Sequence, residues 1–385
     1  MNVRRAAAFA VLAILAPLAA PAAAAEPPKG LIIVTTDAIR ARSQALDAFV
    51  AAKERRGFTV LVATEAQYGA AVLKGQPRAI AIREWLKGAA AGYGYLLLVG
   101  DAHPDYGDVP MLRAWPRHTY PAGQCSFFAV DCRSMETDAF YANLTGDWDL
   151  NGNGRFGEHG LDDGAGGIDF TPQLVVGRIP VYFDEAAPLD AILRHALDHM
   201  DAPAGLAGAG GWRSRVLLPA AFYYFQGEHA YATNVDGADT AEWFVKNRLA
   251  PRPGFPYTRL YERDGLAPSA HAAELPITAE NVVAEWAKGY GMVFWFGHGL
   301  QKEVARVIWA EDADGDGKAG TDETTFIDFL TSDLAAGLPA DRGAFVVAVS
   351  CEVGSAETPD NLAYALQRRF RCLAKPPTQT GKFGA

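Results

Sequence analysis

Short β-branched apolar runs alternate with stretches of helical periodicity along most of the chain, and this rhythm restricts the fold more than any other feature. Residues 30–36 (GLIIVTT) read as a buried strand, because the run is brief, β-branched and closed by a polar turn. Residues 38–56 carry helical spacing, 58–63 a second strand, 78–89 a helix and 93–100 (YGYLLLVG) a third strand. After a long irregular stretch the pattern resumes with a strand over 173–181 (QLVVGRIPV) and a helix over 185–200. Strands alternating with helices predict an α/β fold, with mostly parallel sheets covered by helices on both faces.

A small-residue run, DAPAGLAGAGG over 201–211, separates this rhythm from a second round of it. Beyond it, strands are expected at 215–219, 258–261, 291–296 (GMVFWF) and 344–350 (AFVVAVS). Helices are expected at 240–249, 278–288, 325–334 and 360–369. With 385 residues, half of them apolar, the chain can build two packed lobes. The expected division is a leader over 1–25, an N-terminal α/β lobe over 26–205, a second lobe over 206–370 and an irregular tail over 371–385.

The leader has the make-up of an export signal. Arg4 and Arg5 precede an apolar run from Ala6 to Leu18, and Ala23 and Ala25 supply small residues for cleavage, so a secreted or periplasmic protein is expected. No later stretch is long and apolar enough to span a membrane. A net charge of −10 argues against nucleic-acid partners, which call for a basic face. Export also permits disulfides. Four cysteines, Cys125, Cys132, Cys351 and Cys372, allow three complete pairings that spacing does not decide.

Two of the expected strands each end in a reactive side chain: FWFGHG closes on His298, and VVAVSC closes on Cys351. Reactive groups gather outside the carboxyl ends of strands in parallel α/β sheets. A thiol becomes nucleophilic as its thiolate, which a neighbouring imidazole promotes. Gly297 and Gly299 flank the histidine and leave room for a substrate backbone. The N–H groups of Gly299 and Cys351 are candidate donors to a developing oxyanion.

The pair FGHG and VSC, each preceded by an apolar strand, resembles the gingipain family within the clan that includes caspases and legumain. LLLVGD (96–101), VVGRIPV (175–181) and the acidic stretch GDWDLNGNGRFGE between them resemble further landmarks of that family in the same order. The likeness runs over about 30–369. It implies a cysteine endopeptidase with a caspase-like second lobe, a Cys351–His298 dyad, a thioester acyl-enzyme and a peptide or protein substrate. An acid that orients the histidine and another that meets a basic side chain before the cut would fall at Glu228 and Asp239, with Asp236 a rival for the second. After NLAYALQRRF the family continues into another apolar strand, where this chain reads FRCLAKPPTQTGKFGA. The alternatives are a transpeptidase of the same fold, and a non-catalytic, calcium-stabilised binding or secretion-associated module.

Two acidic loops have the spacing of calcium sites. DADGDGKAGTDE places Asp312, Asp314 and Asp316 at positions 1, 3 and 5, the Lys318 carbonyl at 7 and Glu323 at 12 of an EF-hand-type loop. DWDLNGNGRFGE offers Asp147, Asp149, Asn151 and Glu158, and a frame starting at Asp149 brings in Asn151 and Asn153. Neither has the flanking helix pair of an EF-hand, so both are expected as isolated Ca2+ loops that order surface segments. His195 and His199 stand one helical turn apart without a third ligand. Residues 222–225 (FYYF) and Trp148 read as packing.

Overall fold

β1 (Gly30–Val34) is buried at every residue and lies at the centre of the first sheet, which is parallel throughout with the order β2-β1-β3-β6. It pairs with β2 (Thr59–Ala63) and β3 (Tyr95–Gly100), and β3 pairs in turn with β6 (Val175–Pro180), while β4 (Leu112–Ala114) and β5 (Met135–Thr137) form a separate antiparallel ribbon. The computed structural model describes residues 27–115, 134–183, 185–201, 211–228, 233–339 and 342–369. The leader, Cys125, Cys132, Cys372, His118, His229 and the tail lie outside these residues.

The two-residue period of β1 explains both covered faces. Ile32 and Val34 pack with Ile82 and Leu86 on one side, and Leu31 and Ile33 with Phe49, Leu189 and Leu193 on the other. The single helix expected over 38–56 is two, α1 (Asp37–Arg42) and α2 (Leu46–Arg55). The break has a chemical cause: the buried Asp190 carboxylate accepts from Ser43 Oγ at 2.6 Å, Gln44 N at 3.0 Å and Ala45 N at 3.1 Å. Such backbone donors cannot also serve an uninterrupted helix. Asp190 belongs to the long helix that covers this face; α3 (Glu65–Tyr68), α4 (Gly75–Ala89), α5 (Ala139–Ala142) and that helix, α6 (Ala186–Asp201), complete the first half.

The second half repeats the scheme. β7 (Val216–Ala220), β10 (Tyr257–Tyr261), β11 (Leu275–Pro276), β12 (Met292–Phe296) and β16 (Phe345–Val349) form a parallel sheet in the order β11-β10-β7-β12-β16. Helices α7 (Gly237–Phe244), α8 (Ala279–Ala287), α9 (Ser332–Ala336) and α10 (Leu362–Arg369) accompany it. A further antiparallel sheet, ordered β13-β14-β8-β9 with β15 paired to β14, stands at its carboxyl edge. Its strands are β8 (Phe222–Tyr224), β9 (Val235–Asp236), β13 (His298–Leu300), β14 (Glu303–Trp309) and β15 (Thr324–Thr331). The helix expected over 325–334 is thus mostly strand, and only Ser332–Ala336 is helical. Phe326, Ile327, Phe329 and Leu330 mimic a helical stripe, but their β-branched and aromatic surroundings pair along all of β14.

The segment after Cys351 reaches across to the first half. Ala356 N donates to Glu136 Oε1 at 3.0 Å, Glu357 pairs with Arg113 at 2.5 Å, and the rings of Tyr182 and Tyr364 meet edge-on at 5.2 Å. Among the described residues no helix is long and apolar enough to cross a membrane.

Candidate active site

β12 and β16 lie side by side in parallel register, with Phe296 opposite Val349. Two residues further on each strand come His298 and Cys351. The ladder continues past the strand ends, where Gly297 N donates to the Val349 carbonyl at 3.2 Å and Ala221 N to the Phe296 carbonyl at 3.0 Å. A β-carbon at Gly299 would stand 2.2 Å from the Cys351 carbonyl oxygen and 2.9 Å from Cys351 N, so only glycine lets the two main chains meet. The structure therefore brings His298, Gly299 and Cys351 to one edge.

Cys351 is exposed. The chain reverses directly after it: Val353 N donates back to the Cys351 carbonyl at 2.6 Å, and Glu352 between them has φ 47°. A side chain in that left-handed region costs about 1–2 kcal/mol. Strain of this kind collects at functional sites, where it holds a group proud of the surface.

His298 Nε2 lies 2.6 Å from the main-chain carbonyl of Tyr223. A carbonyl only accepts, so Nε2 carries the hydrogen, and the neutral ring has its lone pair at Nδ1. The rings of Tyr224 and Phe326 stand edge-on to the imidazole, with centroids at 5.5 and 5.0 Å. The Tyr223 hydroxyl donates to the Val349 carbonyl at 2.8 Å. Burial pushes the Tyr223 phenol above its ordinary range, and the neighbouring Cys351 adds to the shift, so the hydroxyl stays a donor. Tyr223 thus touches both arms of the site. Its sequence context, FYYF after an apolar strand, carried no mark beyond aromatic packing.

Glu228 is buried in the turn after β8, where its Oε2 accepts from Phe225 N at 3.1 Å. The acceptor at His298 Nε2 is the Tyr223 carbonyl, five residues earlier. Asp239 sits in the first turn of α7 and pairs through Oδ1 with His271 Nε2 at 2.6 Å. Asp236 caps the same helix, accepting from Ala238 N at 2.9 Å and Ser269 Oγ at 2.6 Å. Burial raises its pKa. The start of α7 is near the histidine arm, because Gly237 packs its backbone against Phe296.

The loop from Asp312 to Glu323 joins β14 to β15. Gly317 N donates to Asp312 Oδ2 at 3.2 Å, Asp316 N to Asp314 Oδ1 at 3.0 Å and Lys318 N to Asp316 Oδ1 at 2.7 Å. Glu323 turns inward and accepts from Ala313 N at 2.6 Å and Gly320 N at 2.8 Å. Carboxylate oxygens of Asp312, Asp314 and Glu323 lie within 4.8 Å of one another, and Asp312 Oδ1 is buried without a hydrogen-bond partner. Clustered hard oxygens of this kind fit a calcium ion. The loop also presses on the turn after β8, with Ala319 N donating to the Gln226 carbonyl at 3.2 Å.

In the earlier acidic loop, Asp149 accepts from Gly154 N at 3.1 Å, the same five-residue span as Asp312 and Gly317. This favours the frame that begins at Asp149. Asn151 and Asn153 converge on Glu158 Oε2 at 3.1 and 2.6 Å, while Asp147 accepts from Asp149 N at 3.0 Å. Asp162, fully buried, joins them by accepting from Glu158 N at 2.9 Å. Sequence spacing alone did not single out Asp162. His195 and His199 lie 6.4 Å apart between ring centroids, and His199 packs against Trp212.

A helix-covered parallel sheet with an imidazole and a thiol at adjacent strand ends is the scaffold of the caspase-like cysteine peptidases. The model of peptidase family C25 matches residues 24–372, and the chain belongs to that family. Its fold is similar to that of the Arg-specific cysteine proteinase gingipain R, with a TM-score of 0.56 and 15% identity over 91% of this chain and 60% of the other. It is similar also to the complex of the pro- and mature domains of RgpB from Porphyromonas gingivalis, with a TM-score of 0.54 and 14% identity over 90% and 60%. The chain thus spans 60% of the length of each of these structures. No curated protein sequence matches it.

Proposed function

We propose that the protein is an exported cysteine endopeptidase in which Cys351 is the nucleophile and His298 its proton-transfer partner. The observation that carries this reading is the contact of the two strand ends, with the Gly299 backbone seated against that of Cys351. The thiolate attacks the scissile carbonyl, and the C–N bond breaks as the imidazolium gives its proton to the leaving amine. Water then hydrolyses the thioester, with the imidazole taking its proton. Held at Nε2 by Tyr223, the ring has Nδ1 for both transfers.

Calcium at the Asp312 and Asp149 loops stiffens the surface in this reading, and the export signal fits it, since calcium is plentiful outside the cytoplasm. A basic residue before the cut would be met by Asp239 or Asp236, both close to the start of α7. His271 already engages Asp239, so a substrate cation has to displace it.

The test is labelling by peptidyl acyloxymethyl ketones that differ in the residue before the cut, with the modified residue mapped by mass spectrometry. Modification at Cys351 that is lost in His298→Ala is expected, fastest for Arg or Lys. Labelling elsewhere, or labelling indifferent to His298, overturns the peptidase assignment. Equal rates with apolar ketones overturn the basic preference alone.

A further inference from the structure

We infer that Phe326 walls the subsite for the residue just after the cut, and that this subsite selects apolar side chains. The inference rests on the peptidase reading and adds to it a determinant on the leaving side. In acyl-enzyme formation the imidazole protonates the departing amine, so the residue that carries this amine must pass beside His298. Whatever surface adjoins the imidazole there meets that residue's side chain.

That surface is apolar by construction. Phe326 is 55% exposed, yet its ring centroid is 5.0 Å from that of His298 at an interplanar angle of 78°. Pairing in the antiparallel sheet sets His298 opposite Ala305 and Ala305 opposite Asp328, so the three stand abreast on one face. Phe326 is two residues from Asp328 and Leu300 two from His298, hence on the same face, and Leu300 is 48% exposed. The small Ala305 leaves space between them. The backbone that carries this ring is fixed by the pairing of residues 324–328 with β14 before any ligand arrives, which reduces the ordering cost of binding. Asp328, exposed on this face, opposes an acidic side chain.

The experiment uses internally quenched peptides that differ only in the residue after the cut, Leu, Phe, Ala or Asp. The residue before the cut is fixed as the one whose ketone labels Cys351 fastest. Labelling by those ketones reports on the nucleophile, and only the ratios between peptides report on this subsite. One apolar group in a pocket changes kcat/KM by about ten-fold or more, so Leu and Phe should exceed Ala by about ten-fold, with Asp the poorest. Phe326→Ala should bring the Leu-to-Ala ratio near one, and Phe326→Leu should keep most of the preference; the ratio is taken within each variant, so a change in rate shared by all four peptides cancels. A flat ratio in the native protein, or one that Phe326→Ala leaves unchanged, overturns the inference while labelling at Cys351 leaves the peptidase reading standing. Native protein that neither labels nor cleaves overturns both.

Discussion

The Tyr223 carbonyl accepts from His298 Nε2 at 2.6 Å, and the hydroxyl of the same residue reaches the Val349 carbonyl at 2.8 Å. A single residue of β8 thus ties the imidazole arm to the thiol arm. Its main chain sets the tautomer of the ring, and its side chain braces the strand that ends in Cys351. The carbonyl survives any substitution, whereas the hydroxyl does not, so the two contributions are separable.

Tyr223→Phe deletes only the brace. A buried hydrogen bond of this type is worth about 1 kcal/mol. We expect a loss of that order in urea denaturation, and a several-fold fall in kcat with KM nearly unchanged. A variant with native kcat would show that the hydroxyl is irrelevant to the placement of the thiol.

Gly299→Ala forces a methyl group to within 2.2 Å of the Cys351 carbonyl oxygen, where backbone must shift to receive it. A misplacement of about 1 Å can cost a hundred-fold in rate. Ketone labelling of Cys351 should therefore fall by about that factor while the circular dichroism stays native. Native labelling would mean that the two arms are less closely coupled than their contact implies.

Arg306 on β14 is buried against Glu262, 2.7 Å away, and also meets Asp264 at 2.7 Å. Removing one member of a buried pair leaves the other charge stranded, at about 3–5 kcal/mol. Glu262→Gln and Arg306→Met should each destabilise by that order, and the double variant by clearly less than their sum. Strict additivity in denaturant melts would contradict direct coupling.

Backbone donors, that of Gly320 first, hold the Glu323 carboxyl below its ordinary pKa range. The fold therefore favours the ionised form. Its stabilisation is present above the ordinary carboxylate range and fades as pH falls through the lowered value. Calcium at this loop should stabilise the fold near neutral pH by about 2.7 kcal/mol at one hundred times its dissociation constant, and the melting temperature should rise with it. Glu323→Gln should remove most of the increment from this loop. A melting temperature indifferent to chelator would exclude both calcium loops.

The parallel sheets were legible because their strands are short, apolar and separated by helical spacing, as 30–34, 95–100 and 292–296 illustrate. The placement of His298 and Cys351 just beyond paired ends of neighbouring strands was legible for the same reason, since such ends share an edge. The antiparallel sheet was not. β8 and β13 are three residues each, too short for a period to register, and β15 carries a spacing that serves helix and strand alike. The part of the site built on that sheet, Tyr223 and Phe326, was hidden with it. Tyr223 in particular holds the histidine by its carbonyl, a group that every residue has.

The ties from Glu136, Arg113 and Tyr182 all land within thirteen residues downstream of Cys351, on Ala356, Glu357 and Tyr364. The first half of the molecule is thus a jig for the chemistry of the second. Cut loose from it, the peptide that bears the sulfur would have only its own strained reversal to aim it. Amputating the N-terminal half should disarm the protein even where the remaining sheet still assembles.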